Sequence, residues 1–340
     1  MRPGERGADD QPGATGYRIT AALVAMILIT ACLSISYAEP VLAPPSALSL
    51  VGAGVLPVAG TPISLTPAIV SSSPESEIPA GTGIWSLTYW SRGLRCQGYL
   101  VVPSGQKTLP LLIVLHGGFP LGLPNHDSEV SSSAAEAAGT AHADGVVFLP
   151  NYAGYGPSQG QVGDTRDDLI DTLNGLKALR DIRGLRLAPD FTYLVGSSLG
   201  GAIALMLAER DRAVRAAVLV SPFPGAILAM RWMARSFPNM TEDDLAQYGQ
   251  FNVSHGDSLD TAWYRLNSPD FARIHIPVLL IGGTHDPIVA PGMLRSLYAA
   301  LRRHDRTVAL RFFPGGHGPQ SPGVDLAEVD FLARHGLYLH

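Results

Sequence analysis

An α/β architecture is what this sequence predicts: a mostly parallel central sheet with helices on both faces and a small helical insertion. Three observations carry that expectation. From residue 84 onward, short apolar runs alternate with stretches of helical period. A serine flanked by glycines, in Gly196-Ser197-Ser198-Leu199-Gly200-Gly201, stands between a β-prone run and a helix-favouring one. A histidine, His317, lies among glycines directly after the last apolar run. With 340 residues, 46% of them hydrophobic and 16% charged, the chain can bury one large core. A net charge of −5 gives no polybasic surface, so no nucleic-acid partner is expected. The two cysteines, Cys32 and Cys96, cannot build a disulfide framework, and regular C-x-x-C or H-x-x-x-H metal spacing is absent.

The N-terminal elements come first. Residues 1–18 form a polar N-terminal segment, and residues 19–38 carry no charge after Arg18. As a signal anchor, a span of this length at about 1.5 Å per residue just crosses a hydrocarbon core of roughly 30 Å. As a cleavable signal, Ser36-Tyr37-Ala38 offers a small-x-small site. As a lipoprotein signal, Ile29-Thr30-Ala31-Cys32 resembles a lipobox, with Cys32 lipidated. All three export the remainder of the chain, tethered to a membrane by anchor or lipid or else secreted. Residues 39–83 are rich in Pro, Ala and Ser, with Glu39, Glu75 and Glu77 the only charges, and read as an extended spacer. The stretch is apolar enough for part of it to lie against the folded domain.

Residues 84–340 form that domain. Trp85–Trp90 and Gly98–Val102, separated by a polar stretch beginning Ser91-Arg92-Gly93, predict an antiparallel hairpin. Further strands are predicted at Leu111–Leu115, Val146–Leu149, Phe191–Val195, Ala217–Val220, Val278–Ile281 and Val308–Phe312. Helices are predicted at Glu129–Ala143, Asp164–Asp181, Leu199–Arg210, Met293–Arg303 and Val324–Ala333, with Leu169, Leu173 and Leu176 on one face of the second. Residues 221–275 depart from the alternation. Their aromatics and methionines, with a capping box at Thr241 and Asp244, predict a helical cap over the strand ends.

The chemistry is read from spacing. A G-x-S-x-G stretch on a strand–turn–helix reads as a nucleophile elbow, which exposes the serine hydroxyl above the sheet. A serine is a weak nucleophile and needs a base and an acid that orients the base. After Ser198, the run Val278–Gly283 leads to Thr284-His285-Asp286, placing Asp286 just past a strand end. No acid comes closely after the preceding strand; Ser221-Pro222-Phe223 stands there instead. His317, in Gly315-Gly316-His317-Gly318, is the expected base, with His285 its close rival. Backbone N–H donors must await the developing oxyanion. One is expected from Leu199 and the other from Gly118, in His116-Gly117-Gly118-Phe119, where His116 braces the loop. No metal or organic cofactor is required by this chemistry.

Taken together, the chain resembles the catalytic domain of the prolyl oligopeptidase family within the α/β-hydrolase fold. The resemblance runs from Trp85 to Leu337 and rests on His116-Gly117-Gly118, Asn151-Tyr152-Ala153-Gly154-Tyr155-Gly156, Gly196–Gly201 and Gly315-Gly316-His317. Ser268-Pro269, before the strand that leads to Asp286, is similar as well. The resemblance implies serine-type cleavage of peptides with Ser198, Asp286 and His317 as the triad. Several family members carry a β-propeller ahead of this domain, and residues 39–83 are far too few to form one. Dienelactone hydrolases and carboxylesterases are similar almost as closely, so a small ester is the alternative substrate to a peptide. A non-catalytic surface-binding protein on a hydrolase scaffold is the remote alternative.

Overall fold

The computed structural model describes residues 48–50, 58–68, 78–105, 107–123, 125–238, 262–304 and 307–339. The chain divides into two compact units, Met1–Ser36 and Tyr37–His340, and every described residue belongs to the second. The uncharged segment 19–38 with Cys32, and the capping box at Thr241, lie outside the described residues.

Runs of Val, Ile and Leu without alternation can be stable only as strands buried on both faces, and that is how they fold. The main sheet consists of β1 (Pro62–Pro67), β2 (Gly83–Ser91), β3 (Leu94–Val102), β4 (Leu109–Leu115), β5 (Val146–Pro150), β6 (Leu187–Ser197), β7 (Val214–Val220), β8 (Val278–Gly283) and β9 (Val308–Phe313). Its spatial order is β9-β8-β7-β6-β4-β5-β3-β2-β1. From β9 to β5 every pairing is parallel, whereas β3, β2 and β1 join antiparallel at one side.

The helices are α1 (Ala134–Gly139), α2 (Thr165–Leu179), α3 (Leu199–Ala208), α4 (Ala226–Ser236), α5 (Ala262–Leu266), α6 (Pro291–Arg302) and α7 (Pro322–Arg334). Alternate residues of β8 serve opposite layers. Val278 and Leu280 face a core shared with α2, α3, α4 and α6, while Leu279 and Ile281 face one shared with α1 and α7. Helix α3 is buried at every position, as a central helix whose whole circumference is apolar must be.

The hairpin between β2 and β3 turns on Arg92 and Gly93, both at positive φ (51° and 78°), the geometry that matches strand twist in a two-residue turn. The proline-rich stretch read as spacer contributes β1, an edge strand with prolines at its two ends, where a missing N–H costs least. Helix α1 is shorter than predicted. Ser133 caps it by accepting the Glu136 N–H (3.1 Å), and Ser128 before it pairs instead with the 154–156 backbone.

The leucine stripe read on α2 is corrected by the structure. Leu169 is buried, but Leu173 is 38% exposed, because polar Asp168, Asp171 and Thr172 take the inner face. Asp171 is well provided for: it accepts from Ser91 Oγ, Arg92 and the Ala153 N–H. Asp168 is not. Both of its carboxyl oxygens are buried without a hydrogen-bond partner among the described residues, and burial, reinforced by Asp171, pushes its pKa well up. A carboxyl with a raised folded pKa takes up a proton on folding, so stability falls as pH rises above the unfolded value of 3.8. Asp168→Asn is therefore expected to match the parent near pH 4 and exceed it at pH 8. The gap should widen by up to about 1.4 kcal/mol per pH unit. Denaturant melts across that range check it, and a pH-independent difference would refute it.

The described part of the 221–275 insertion is rooted on α2. Trp263 Nε1 and Asn267 Nδ2 both donate to Asp164 Oδ2 (2.9 and 3.0 Å), and Asn267 Oδ1 accepts the Arg166 N–H (2.9 Å). Asp164 is at the same time the N-cap of α2, accepting the Asp167 N–H.

Candidate active site

The strand order reverses beside β4, with β5 on one flank and β6 on the other, and clefts in such sheets open beyond the carboxyl ends of those strands. Ser198 stands there, between β6 and α3, at φ 51° and ψ −116°. A serine in such a conformation costs about 1–3 kcal/mol and persists only where its surroundings hold it. They do so through the backbone: its N–H donates to the Val220 carbonyl (3.0 Å), and its carbonyl accepts from Gly201 (3.0 Å) and Phe223 (2.8 Å). Its side chain makes no capping hydrogen bond to α3 and is partly exposed. Leu199 opens α3, where the first N–H groups of a helix lack an internal acceptor and the macrodipole favours negative charge.

The loop after β4 runs alongside. A Cβ placed on Gly117 would lie 3.4 Å from Ser198 Cβ. Gly118 packs so closely on Tyr155 that a Cβ there would sit 2.6 Å from the phenolic oxygen. That oxygen accepts the Phe119 N–H at 2.8 Å. His116 is buried, its ring stacked on Tyr152 at 4.2 Å between centroids. Its Nδ1 lies 2.6 Å from the Gly117 carbonyl, which can only accept, so the proton is on Nδ1. Burial pushes its pKa down to about 4, against a smaller opposing effect of that hydrogen bond. His116 is a neutral brace for the loop.

The loops after β8 and β9 bring the remaining pair together. Asp286 is 3% exposed and accepts the Ile288 and Val289 N–H groups, both at 2.9 Å. His317 Nδ1 lies 2.9 and 3.1 Å from its two carboxylate oxygens. Burial alone would raise the Asp286 pKa; the hydrogen bond and charge of His317, with hydrogen bonds from Ser221 and Ile288, outweigh it and hold the carboxyl below its ordinary value. The loops are stitched by Thr284 N–H to the Phe313 carbonyl and His285 N–H to the Gly315 carbonyl, both 2.9 Å. The His285 ring is exposed and contacts Thr284 Oγ1 (2.9 Å), so the acid's partner is His317.

A family model described as "Alpha/beta hydrolase family" matches residues 112–329, more than half of the chain. The chain belongs to the alpha/beta hydrolase family. No curated protein matches it in sequence. Among solved structures, the hydrolase is similar to an acylaminoacyl peptidase of Pyrococcus horikoshii, with a TM-score of 0.55 and 19% identity over 74% of this chain and 41% of that one. It is similar to an acetyl xylan esterase from Paenibacillus sp. R4, with a TM-score of 0.57 and 18% identity over 80% of this chain and 88% of that one. A puromycin-hydrolyzing peptidase of Mycobacterium tuberculosis gives 0.51 and 22% identity over 69% and 36%. At these identities the likeness is one of fold. The hydrolase spans about two fifths of the acylaminoacyl peptidase's length and most of the esterase's.

All five residues singled out from the sequence therefore lie at the end of the hydrolase sheet to which the parallel strands point their carboxyl ends. Ser198 and Leu199 share one turn, Gly118 lies on the loop beside it, and Asp286 and His317 are hydrogen-bonded. Two neighbours take roles that the sequence pattern does not assign. Tyr155 belongs to a motif, but its contact with Phe119 depends on how two distant loops meet. Ser221 stands in the sequence only where an acid is absent. Among the described residues no group of His, Cys, Asp and Glu could hold a metal ion.

Proposed function

We propose that this hydrolase is a serine hydrolase that opens a carboxylic ester or amide through an acyl-enzyme, with small esters as its main substrates. The observation that carries the reading is the pairing of His317 with buried Asp286 at the end of the sheet that also bears the strained Ser198. Ser198 Oγ attacks the carbonyl carbon while His317 Nε2 accepts its proton; Asp286 fixes the ring with Nδ1–H toward itself and stabilises the imidazolium. The Leu199 and Gly118 N–H groups face the oxyanion; the neighbouring Phe119 N–H is already given to Tyr155. His317 then protonates the leaving group, and water, activated by the same imidazole, releases the acid and restores Ser198. None of these steps calls for a cofactor.

The ester preference is supported by the likeness in fold to the acetyl xylan esterase, which has a TM-score of 0.57 over 80% of this chain. A peptide amide is the second reading, favoured by the prolyl-oligopeptidase-like motifs. The deciding experiment presents one acyl group as an ester and as an anilide to the full chain. Ester turnover with kcat/KM at least about 100-fold above the anilide is expected; comparable, Ser198-dependent anilide cleavage would instead make it a peptidase. The uncharged segment 19–38 supports an exported, membrane-tethered enzyme. Fractionation of cells expressing the full chain and its Cys32→Ser variant tests this, with export to the membrane fraction expected and a wholly cytosolic enzyme refuting it.

A further inference from the structure

We propose that Ser221 is a positioning residue of this site, its hydroxyl tying the acid loop to the histidine loop. The inference rests on the Ser198–His317–Asp286 triad and adds a member that the triad does not contain. Ser221 comes directly after β7, is fully buried, and holds φ 44°, a left-handed conformation that serine adopts at a cost. Its backbone N–H donates to the Ile281 carbonyl (2.7 Å), which locks the residue to β8, the strand that delivers Asp286. Its Oγ accepts the Gly318 N–H at 3.0 Å, one residue beyond His317.

A hydroxyl that accepts still has one proton to donate. On this proposal that proton goes to the Asp286 carboxylate, which the Ser221 hydroxyl, after His317, helps to hold below its ordinary value against the effect of burial. The residue before it completes the arrangement, because the Val220 carbonyl receives the Ser198 N–H. Two consecutive residues at the end of β7 thus touch the nucleophile's backbone, the strand that delivers the acid and the base's loop. The end of β7 is also where the sequence lacks an acid: the serine there serves the carboxylate supplied by the next strand.

The backbone strain makes the test clean. Ser221→Gly removes the hydroxyl yet accepts φ 44° without penalty, whereas Ser221→Ala removes the hydroxyl and keeps the strain. Active sites are counted by fluorophosphonate titration, so any misfolded fraction drops out of kcat. Both variants are expected to lose about tenfold in kcat per titrated site with KM unchanged, the order expected for one lost hydrogen bond to a charged group. Ser221→Gly should keep the parental melting temperature. Read without turnover, the Asp286 carboxyl carbon followed by NMR should titrate closer to the ordinary carboxylate value in Ser221→Gly. A Ser221→Gly enzyme with parental kcat and an unmoved Asp286 titration overturns the proposal. So does an impaired alanine variant beside a fully active glycine variant, since strain and not the hydroxyl would then be the cause. Failure of the triad itself looks different: Ser198→Ala would retain turnover, while the Asp286 titration would still decide the Ser221 contact.

Discussion

Ser198→Ala is expected to lower kcat/KM on an activated ester by about 10⁴- to 10⁶-fold, the range seen when a triad nucleophile is removed and only binding and oxyanion stabilisation remain. The fold should not notice. Ser198 is held by its own backbone, through Val220, Gly201 and Phe223, and its side chain caps nothing. Alanine keeps the Cβ, so the φ of 51° is as strained in the variant as in the parent. The melting temperature should therefore stay within about 2 °C, which corresponds to a change of about 1 kcal/mol in a chain of this size. That separation is what gives the result meaning: a large loss of turnover with a smaller or absent loss of stability belongs to chemistry. Residual activity above about a thousandth of the parent, in protein free of wild-type contamination, would remove Ser198 from the role of nucleophile. Loss of fluorophosphonate labelling in the same variant is the parallel readout.

The parts of this molecule that are legible in its sequence share one property: they depend on short-range pattern. Val278–Ile281 has to be a strand buried on both faces because four consecutive apolar residues leave no polar side to show water. Asp286 and His317 stand out because each comes after such a strand, and strand ends are where a parallel sheet presents side chains to a ligand. The illegible parts depend on register between segments far apart. The inner face of α2 cannot be read from Leu169, Leu173 and Leu176, because the pull inward comes from Arg92, Ser91 and Ala153 on Asp171, nearly 80 residues away in the first two cases. Apolar periodicity reports hydrophobic burial alone, and this helix buries carboxyls. The edge strand Pro62–Pro67 is hidden by its prolines, which mark loops elsewhere but are tolerated at the ends of an edge strand. Ser221 is visible only as a missing acid; that its hydroxyl meets Gly318 comes from the pairing of β7 with β8 and of β8 with β9, which no local pattern states.

Gly200→Ala is expected to be one of the most damaging single-methyl changes among the described residues. In an ordinary helix the substitution gains about 1 kcal/mol, because alanine loses less backbone entropy than glycine. Gly139, near the end of α1, has nothing within 4 Å of the added Cβ, and Gly139→Ala should obey that rule. At Gly200 the new Cβ would overlap the Leu115 carbonyl oxygen and press on that of His116. Both are backbone atoms, so no rotamer change can make room; α3 must move away from β4, or the end of β4 must move. Overpacking of this kind costs about 1–3 kcal/mol or more, and it is added to the forfeited helix gain. The displacement also falls where the chemistry is least forgiving, since Leu115 and His116 lead directly into Gly118 and α3 begins at Leu199. A shift of about 1 Å in those donors is enough to lower turnover about 100-fold. The variant should thus lose both stability and kcat/KM, while Gly139→Ala gains a little of the first and keeps the second. A Gly200→Ala enzyme as stable and as active as the parent would mean that strand and helix do not approach as closely as this site requires.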